Sequence, residues 1–350
     1  MTHLLPLLRA TVLGAALAVA MPIRAADSYA DHPQAQAFAE ELASEHGLMA
    51  EDILHTLSQV SRDARVIRLI TPPAKKGRAR SWQRYRSQFV EPIRIERGLA
   101  FWRANADALE RASAQYGVPA QIIVAIIGVE TIYGRNTGHF TVASALATLA
   151  FDYPPRAELF RRELTSLFLL ARDQGRDPLS YEGSYAGALG YPQFLPSSVR
   201  HYAVDFDHDG HIDLESSTAD AIGSVANYLA VHGWQQGGPV AVRAHVESVD
   251  QVQALIDAGI DPVFTAGDFS ARRVLPLDDF PMDAKAALID LETPDADTEY
   301  WLGFRNFYVI TRYNRSSFYA MAVFSLAEAL RMAHTEVALE TRGATEGTPR

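Results

Sequence analysis

Residues Gly117–Gly134 hold one acid, Glu130, placed after six consecutive apolar residues, Ile122–Ile127. Pro119 suits the first position of a helix and Gly134 the residue just past its end. A buried strand is the alternative, because the run is rich in β-branched residues; the distance from Pro119 to Gly134 favours the helix. Glu130 then falls in the last turn of a buried helix. Apolar surroundings and the negative end of the helix dipole both disfavour its carboxylate. A carboxyl that keeps its proton near neutral pH is what general-acid catalysis requires. The plainer alternative is a glutamate paired with an arginine or capping a neighbouring loop.

Two loops could serve such an acid. Gly183–Ser198 is dense in Gly, Pro, aromatic residues and small hydroxyls. It lacks the spacing and the lysine of a phosphate-binding loop. Its small residues let a backbone approach a ligand, Tyr191 and Phe194 can lie against sugar faces, and Gln193 can hydrogen-bond an amide or hydroxyl. Taken alone it reads equally as a tight turn between helices. Asp205–Asp213 follows the calcium-binding EF-hand pattern, with Asp205, Asp207 and Asp209 at positions 1, 3 and 5, Gly210 at 6 and the carbonyl of His211 at 7. Position 12 is Ser216 instead of the usual glutamate, and Asp220 could close a longer loop. A structural Ca²⁺ is expected, against the alternative of a solvated acidic turn; no organic cofactor is expected.

The elements that must carry these residues divide the chain. Arg9 and the apolar run Ala10–Ile23 mark a signal peptide over Met1–Ala25. An N-terminal helical domain is expected over 26–112, with amphipathic patterns at Phe38–His46 and Ala50–Val60 separated by Gly47. Thr71-Pro72-Pro73 breaks the chain, and the basic stretch Lys75–Arg80 reads as a solvated linker in preference to an anion-binding patch. Ile95, Leu99, Trp102, Ala106 and Leu109 step by four and three, which predicts one long helix from about Pro92 to Gly117. The core over 113–237 carries the acid and both loops. A small antiparallel β domain is expected over 238–312, with strands at Val240–Val246, Ala287–Leu291, Tyr300–Phe304 and Phe307–Thr311. A helix over 313–334 returns to the core, and the polar tail 335–350 is expected to lack structure. The fold class is mainly α, α+β.

Composition excludes other chemistries. The chain has 350 residues, 42 Asp+Glu against 32 Lys+Arg, and no Cys. Without cysteine there is no disulfide scaffold, thiolate zinc site or cysteine nucleophile. A net charge of −10 argues against nucleic-acid binding. No segment after the signal peptide is apolar for long enough to cross a bilayer.

Taken together the motifs resemble the B-type lytic murein transglycosylases, the family of membrane-bound lytic murein transglycosylase B. The match runs from about Tyr85 to Arg331 and keeps one order: Glu130-Thr131-Ile132-Tyr133-Gly134, Ala145–Pro154, Gly183–Ser198, Asp205–Asp213, Ile222–Tyr228 and Thr311–Ser316. The resemblance implies a lysozyme-like core and cleavage of the MurNAc–GlcNAc β-1,4 bond of peptidoglycan, with Glu130 as acid and then base and a 1,6-anhydro sugar as product. It implies that Ser184 and Gln193 line the cleavage subsites, and that Tyr85, Tyr228, Tyr313, Asn314 and Tyr319 bind sugar or position the intermediate. Arg156 would face the anionic peptide or lactyl groups. Pro192 stands where the family usually has Gly, and Pro155 replaces one of a usual Arg pair. Peptidoglycan strands, and penicillin-binding proteins, are the implied partners of a monomer. Members at the centre of the family carry a lipid-attachment Cys; its absence here leads to the expectation of a soluble periplasmic protein. A hydrolytic muramidase, using a second carboxylate among Asp152, Glu158, Glu163 and Glu182, and a non-catalytic peptidoglycan-binding scaffold are the competing readings.

Overall fold

A computed structural model describes residues 28–72, 79–281 and 283–346. The expected signal peptide lies outside the described residues, as do Lys75, Lys76 and Arg78 of the basic stretch. The N-terminal region is helical: α1 (Pro33–His46), α2 (Ala50–Ser58), α3 (Ala64–Ile70), α4 (Trp82–Ser87), α5 (Pro92–Ala104) and α6 (Ala106–Tyr116). The single long helix expected from Pro92 is two. Asn105 breaks it with φ −122° and ψ 26°, and its side-chain amide donates to the Phe101 carbonyl at 2.8 Å. Of the four-and-three stripe only Leu109 is buried; Ile95, Leu99 and Trp102 are partly buried and Ala106 is exposed, and the spacing carries no mark of a corner between the two segments. Gly117 does end α6 in the left-handed conformation, φ 69°.

The core region follows: α7 (Ala120–Thr131), the short strand β1 (Phe140–Thr141), α8 (Val142–Asp152), α9 (Ala157–Gln174), β2 (Glu182–Gly183) paired with β1, α10 (Pro196–Tyr202) and α11 (Thr218–Val231). Residues Ile122–Val129 of α7 are all buried, so neighbouring elements enclose this helix on every side up to Glu130.

The β region comprises β3 (Ala241–Val246), the short helices α12 (Gln253–Asp257) and α13 (Ala266–Ser270), β4 (Val274–Pro276), β5 (Ala287–Leu291) and β6 (Glu299–Gly303), in the antiparallel order β4-β3-β6-β5. The pleat sends alternate residues to opposite faces. Ile289 and Leu291 join the large helical core, while Leu288 and Leu302 join a smaller one with Leu255, Phe269 and Phe304. β4 was not anticipated, being three residues long. Phe307–Thr311, expected as a strand, is helical within α14 (Arg305–Tyr313). Asn306, Phe307 and Ile310 are buried and share a helical face, while Arg312 is exposed; packing of that face overrides the β propensity of the Phe-Tyr-Val-Ile-Thr run.

The last helix, α15 (Ser317–Glu346), packs along α7. The tail expected to lack structure continues this helix as far as Glu346. Its Ala, Glu, Leu and Arg content favours helix even where no apolar face requires it. Among the described residues no single helix is long and apolar enough to cross a membrane.

Candidate active site

The C-terminus of α7 is held in an unusual conformation. Pro119 is its N-cap, with extended backbone, and not its first helical residue. At the other end Ile132, Tyr133 and Gly134 are three successive left-handed residues, with φ of 53°, 59° and 82°. Only the glycine adopts this freely; a β-branched isoleucine does so only where its surroundings compel it. Three contacts do. The Thr131 hydroxyl accepts from the Gly134 amide at 2.9 Å. The Tyr133 hydroxyl donates to the Arg94 carbonyl at 3.0 Å. The Tyr133 ring lies against Gly128, where a Cβ would sit 2.6 Å from its hydroxyl oxygen. Beneath the turn, buried Arg94 donates through Nη1 to the Gly128 carbonyl at 2.5 Å, satisfying an acceptor at the helix end.

Glu130 is partly exposed at the edge of this turn. The Tyr319 hydroxyl, from α15, donates to its Oε1 at 2.6 Å. Burial pushes the Glu130 carboxyl up to about 7, and the hydrogen bond from Tyr319 partly offsets that rise. The tyrosines gather around it. Rings of Tyr313 and Tyr319 stack with centroids 6.4 Å apart and planes 15° apart, an arrangement set by the corner between α14 and α15. Burial and the nearby Glu130 charge raise the hydroxyl pKa of Tyr85, Tyr313 and Tyr319 alike. Tyr228 packs edge-on to Tyr313 at 4.9 Å, and its hydroxyl donates to the Arg312 carbonyl at 2.7 Å.

The Gly183–Ser198 loop is tied to the same place. Tyr313 donates to the Pro192 carbonyl at 2.7 Å, and Thr131 donates to the Tyr191 carbonyl at 3.0 Å. Gln193 adopts a left-handed φ of 52°, and its amide donates to the carbonyls of Thr137 and Gly190 at 3.0 and 3.1 Å. Ser184 accepts from the amides of Ala186 and Ala188, so its hydroxyl holds the turn. Asn314 is exposed at the end of α14. Arg156 stands apart: it is exposed at the start of α9, its guanidinium 5.3 Å over the Phe160 ring. Thr131 and Arg94 were not singled out in the sequence. An arginine among the apolar positions of α5 was the available signal for Arg94; Thr131 adjoins the acid and carries no signal of its own.

Of the four carboxylates that a hydrolytic mechanism could recruit, two are engaged elsewhere. Asp152 accepts the Tyr29 hydroxyl and lies 3.8 Å from Arg62. Glu163 is buried and accepts from the Ser197 amide and hydroxyl at 3.0 and 2.7 Å. Glu158 and Glu182 are exposed on the surface. Among the described residues no carboxylate contributes to the shift of Glu130, which arises from burial and Tyr319.

In the acidic loop, carboxylate oxygens of Asp205, Asp207 and Asp209 lie within 4.8 Å of one another. Gly210, φ 93°, makes the sharp turn that the pattern requires at its sixth position. Three converging hard oxygens with no lysine or arginine among them fit Ca²⁺. Asp220 does not join this cluster. It is buried and accepts the amides of Phe206, Asp207 and Asp213, the first and last at 2.7 and 2.8 Å, so in this arrangement it braces the loop from within. His211 is exposed, and its amide donates to Asp209 at 2.8 Å.

Losing the Tyr319 hydroxyl has a defined consequence. Tyr319→Phe is expected to move the ionisation of Glu130 further up, because the interaction that opposes burial is gone. For an acid that works protonated, the falling alkaline limb of kcat/KM then moves to higher pH, while kcat drops about tenfold through the lost charge-assisted hydrogen bond. A pH–rate profile of the variant checks both, and an unmoved limb refutes the assignment.

A mainly helical core that presents one proton-bearing carboxyl to a cluster of tyrosines defines a glycan-cleaving protein of the lysozyme-like class. Residues 30–328 match the family described as the transglycosylase SLT domain. The chain is 42% identical over 317 residues to membrane-bound lytic murein transglycosylase B of Escherichia coli K12, covering 88% of this chain and 85% of that protein. Its structure is similar to that of soluble lytic transglycosylase SltB1 from Pseudomonas aeruginosa, with 47% identity, a TM-score of 0.81, and coverage of 87% of this chain and all of that one. It is also similar to the Escherichia coli lytic transglycosylase SLT35 in complex with calcium, with 42% identity, a TM-score of 0.76, and coverage of 88% and 95%. The chain therefore belongs to the transglycosylase SLT domain family, among the lytic murein transglycosylases of the B type.

One expectation is corrected by these relatives. The absence of cysteine suggested a soluble periplasmic protein, yet a relative 42% identical is named as membrane-bound. A missing lipid-attachment residue is thus no ground for placing the chain away from a membrane.

Proposed function

We propose that this protein is a peptidoglycan lytic transglycosylase in which Glu130 is the general acid and then the general base. The observation that carries the reading is a single carboxyl, on a partly exposed residue but packed about closely enough to be raised to about 7, hydrogen-bonded to Tyr319 and with no second carboxylate among the described residues contributing to that rise. Protonated Glu130 gives its proton to the bridging O4 as the C1–O4 bond of MurNAc breaks. The resulting carboxylate then takes the proton of the C6 hydroxyl of the same sugar as O6 bonds to C1. Glu130 ends as it began, and the product carries a 1,6-anhydro ring. An intramolecular hydroxyl has a high effective concentration, so no activated water is required. A hydrolase that positions a water commonly uses a second carboxylate for it.

The names of the relatives support the reaction and the polymer. Tyr85, Tyr228, Tyr313 and Tyr319 offer ring faces and hydroxyls for a sugar and its oxocarbenium-like transition state. Gln193 would contribute through the loop that it and Tyr313 hold in place. Product mass tests the reading. Sacculi digested by the purified protein are expected to release anhydro-MurNAc ends, each one water lighter than a hydrolysed end. Release of reducing ends alone, or of nothing, overturns it.

Ca²⁺ is proposed to bind at Asp205, Asp207 and Asp209 with the His211 carbonyl, and its role is structural. Unneutralised, three carboxylates this close repel one another. At calcium a hundredfold above its dissociation constant, the Tm is expected to rise by about 4–6 °C over the chelated protein. Asp205→Asn should remove most of that difference, and an equal Tm with and without calcium would refute the site.

A further inference from the structure

The basic stretch Lys75–Arg80 has no place in the mechanism above, yet its last residue reaches the active site. Arg80 is exposed, and its guanidinium carbon stands over the Phe318 ring, 4.5 Å from the centroid. Phe318 precedes Tyr319, the donor to Glu130, and packs edge-on to Tyr85 at 5.6 Å. The charge of Arg80 reaches Tyr85, whose hydroxyl feels Arg80 and Glu130 in opposite directions. Arg80 forms no ion pair among the described residues, although other arginines there do, such as Arg65 with Asp63 and Arg161 with Glu41. A guanidinium held over a ring still carries N–H donors for a carboxylate, which it can meet with two parallel hydrogen bonds.

We propose that Arg80 is a specificity-determining residue that binds a carboxylate of the substrate beside the sugar held at Tyr85 and Glu130. The proposal rests on the peptidoglycan reading of the site. It also accounts for how an acidic protein, of net charge −10, can accept an acidic polymer: the cation needed is local, at the edge of the tyrosine cluster, and has no ion-pair partner among the described residues. Arg156, the residue first expected to meet the substrate's anionic groups, is exposed at the start of α9 with its guanidinium over Phe160. In peptidoglycan a carboxylate comes either from the stem peptide or, where the peptide has been removed, from the lactyl group of MurNAc.

The experiment measures binding in the Glu130→Gln background, so that the ligands survive. Soluble glycan oligomers bearing stem peptides, the same oligomers stripped of peptide, and carboxyl-amidated forms of each are titrated by calorimetry. With Arg80 present, the carboxylate form of one or both oligomers is expected to bind about tenfold more tightly than its amidated counterpart, corresponding to about 1.4 kcal/mol. The oligomer that shows the preference identifies the source of the carboxylate. Arg80→Gln should collapse the ratio toward one, and Arg80→Lys should retain part of it, because charge persists while the paired guanidinium donors are lost. A ratio that survives Arg80→Gln overturns the proposal. So does a ratio lost as fully in Arg80→Lys as in Arg80→Gln, which would leave only a packing role over Phe318. Failure of the catalytic reading shows separately, as absence of anhydro ends from sacculi treated with the unsubstituted protein.

Discussion

Glu130→Gln is expected to lower release of anhydro-MurNAc ends from sacculi by about 10³–10⁴-fold while leaving the fold intact. The amide has nearly the shape of the carboxyl, and its oxygen can still accept the hydrogen bond that Tyr319 gives to Oε1 at 2.6 Å. What it lacks is a proton of usable acidity for the bridging oxygen and a basic site for the C6 hydroxyl. In the proposed mechanism both steps use the same group, so no second residue would share the load. Asp152 and Glu163 are held by Tyr29 and Ser197, and neither contributes to the ionisation of Glu130. Mass spectrometry of paired digests checks the result. A variant that retained even a tenth of the activity would show that the acid lies elsewhere.

The second large effect is on stability, and it runs the other way. Glu130 holds its proton up to about pH 7 in the folded protein, whereas the ordinary value is 4.5. Between those values the folded state binds a proton that the unfolded chain has released, so unfolding becomes easier as pH rises. The favourable contribution is complete below about pH 4.5 and is lost as pH climbs through about 7. The gap corresponds to about 3 kcal/mol at most. Glu130→Gln carries no such titration. Urea midpoints at pH 4.5 and pH 8 should therefore show the variant gaining on the unsubstituted protein by up to that amount at the higher pH. A difference independent of pH would mean that Glu130 titrates normally in the fold, and the proposed proton donor would be lost with it.

These two predictions have one origin. The groups that make Glu130 a useful acid also make its ionised form costly. Arg94 and Tyr133 hold the left-handed turn after the helix, and the Arg94 charge has no part in the ionisation of Glu130. Among the described residues the carboxyl has the Tyr319 hydroxyl as its partner and no cation paired with it.

Much of this was legible from the chain alone, and the reason is local chemistry. Six apolar residues and one glutamate between a proline and a glycine favour a buried helix ending in an acid over a buried strand, because the segment is too long for a typical strand. The spacing of Asp205, Asp207, Asp209 and Gly210 is likewise a property of one short segment. The strand at Ala241–Val246 follows from alternation, and those at Ala287–Leu291 and Glu299–Gly303 from short runs bounded by turn residues, signals that each segment carries within itself. What tertiary structure decided depends on partners far apart in sequence. Phe307–Thr311 became helix because one of its faces had a core to enter. The two segments around Asn105 turned a corner that their apolar stripe did not record. Tyr319 meets Glu130 across 189 residues, and Tyr313 reaches Pro192 across 121. No spacing rule spans such separations: which tyrosine hydroxyl falls within 2.6 Å of a carboxyl is set by how α15 packs on α7, and only the folded chain brings those two surfaces together.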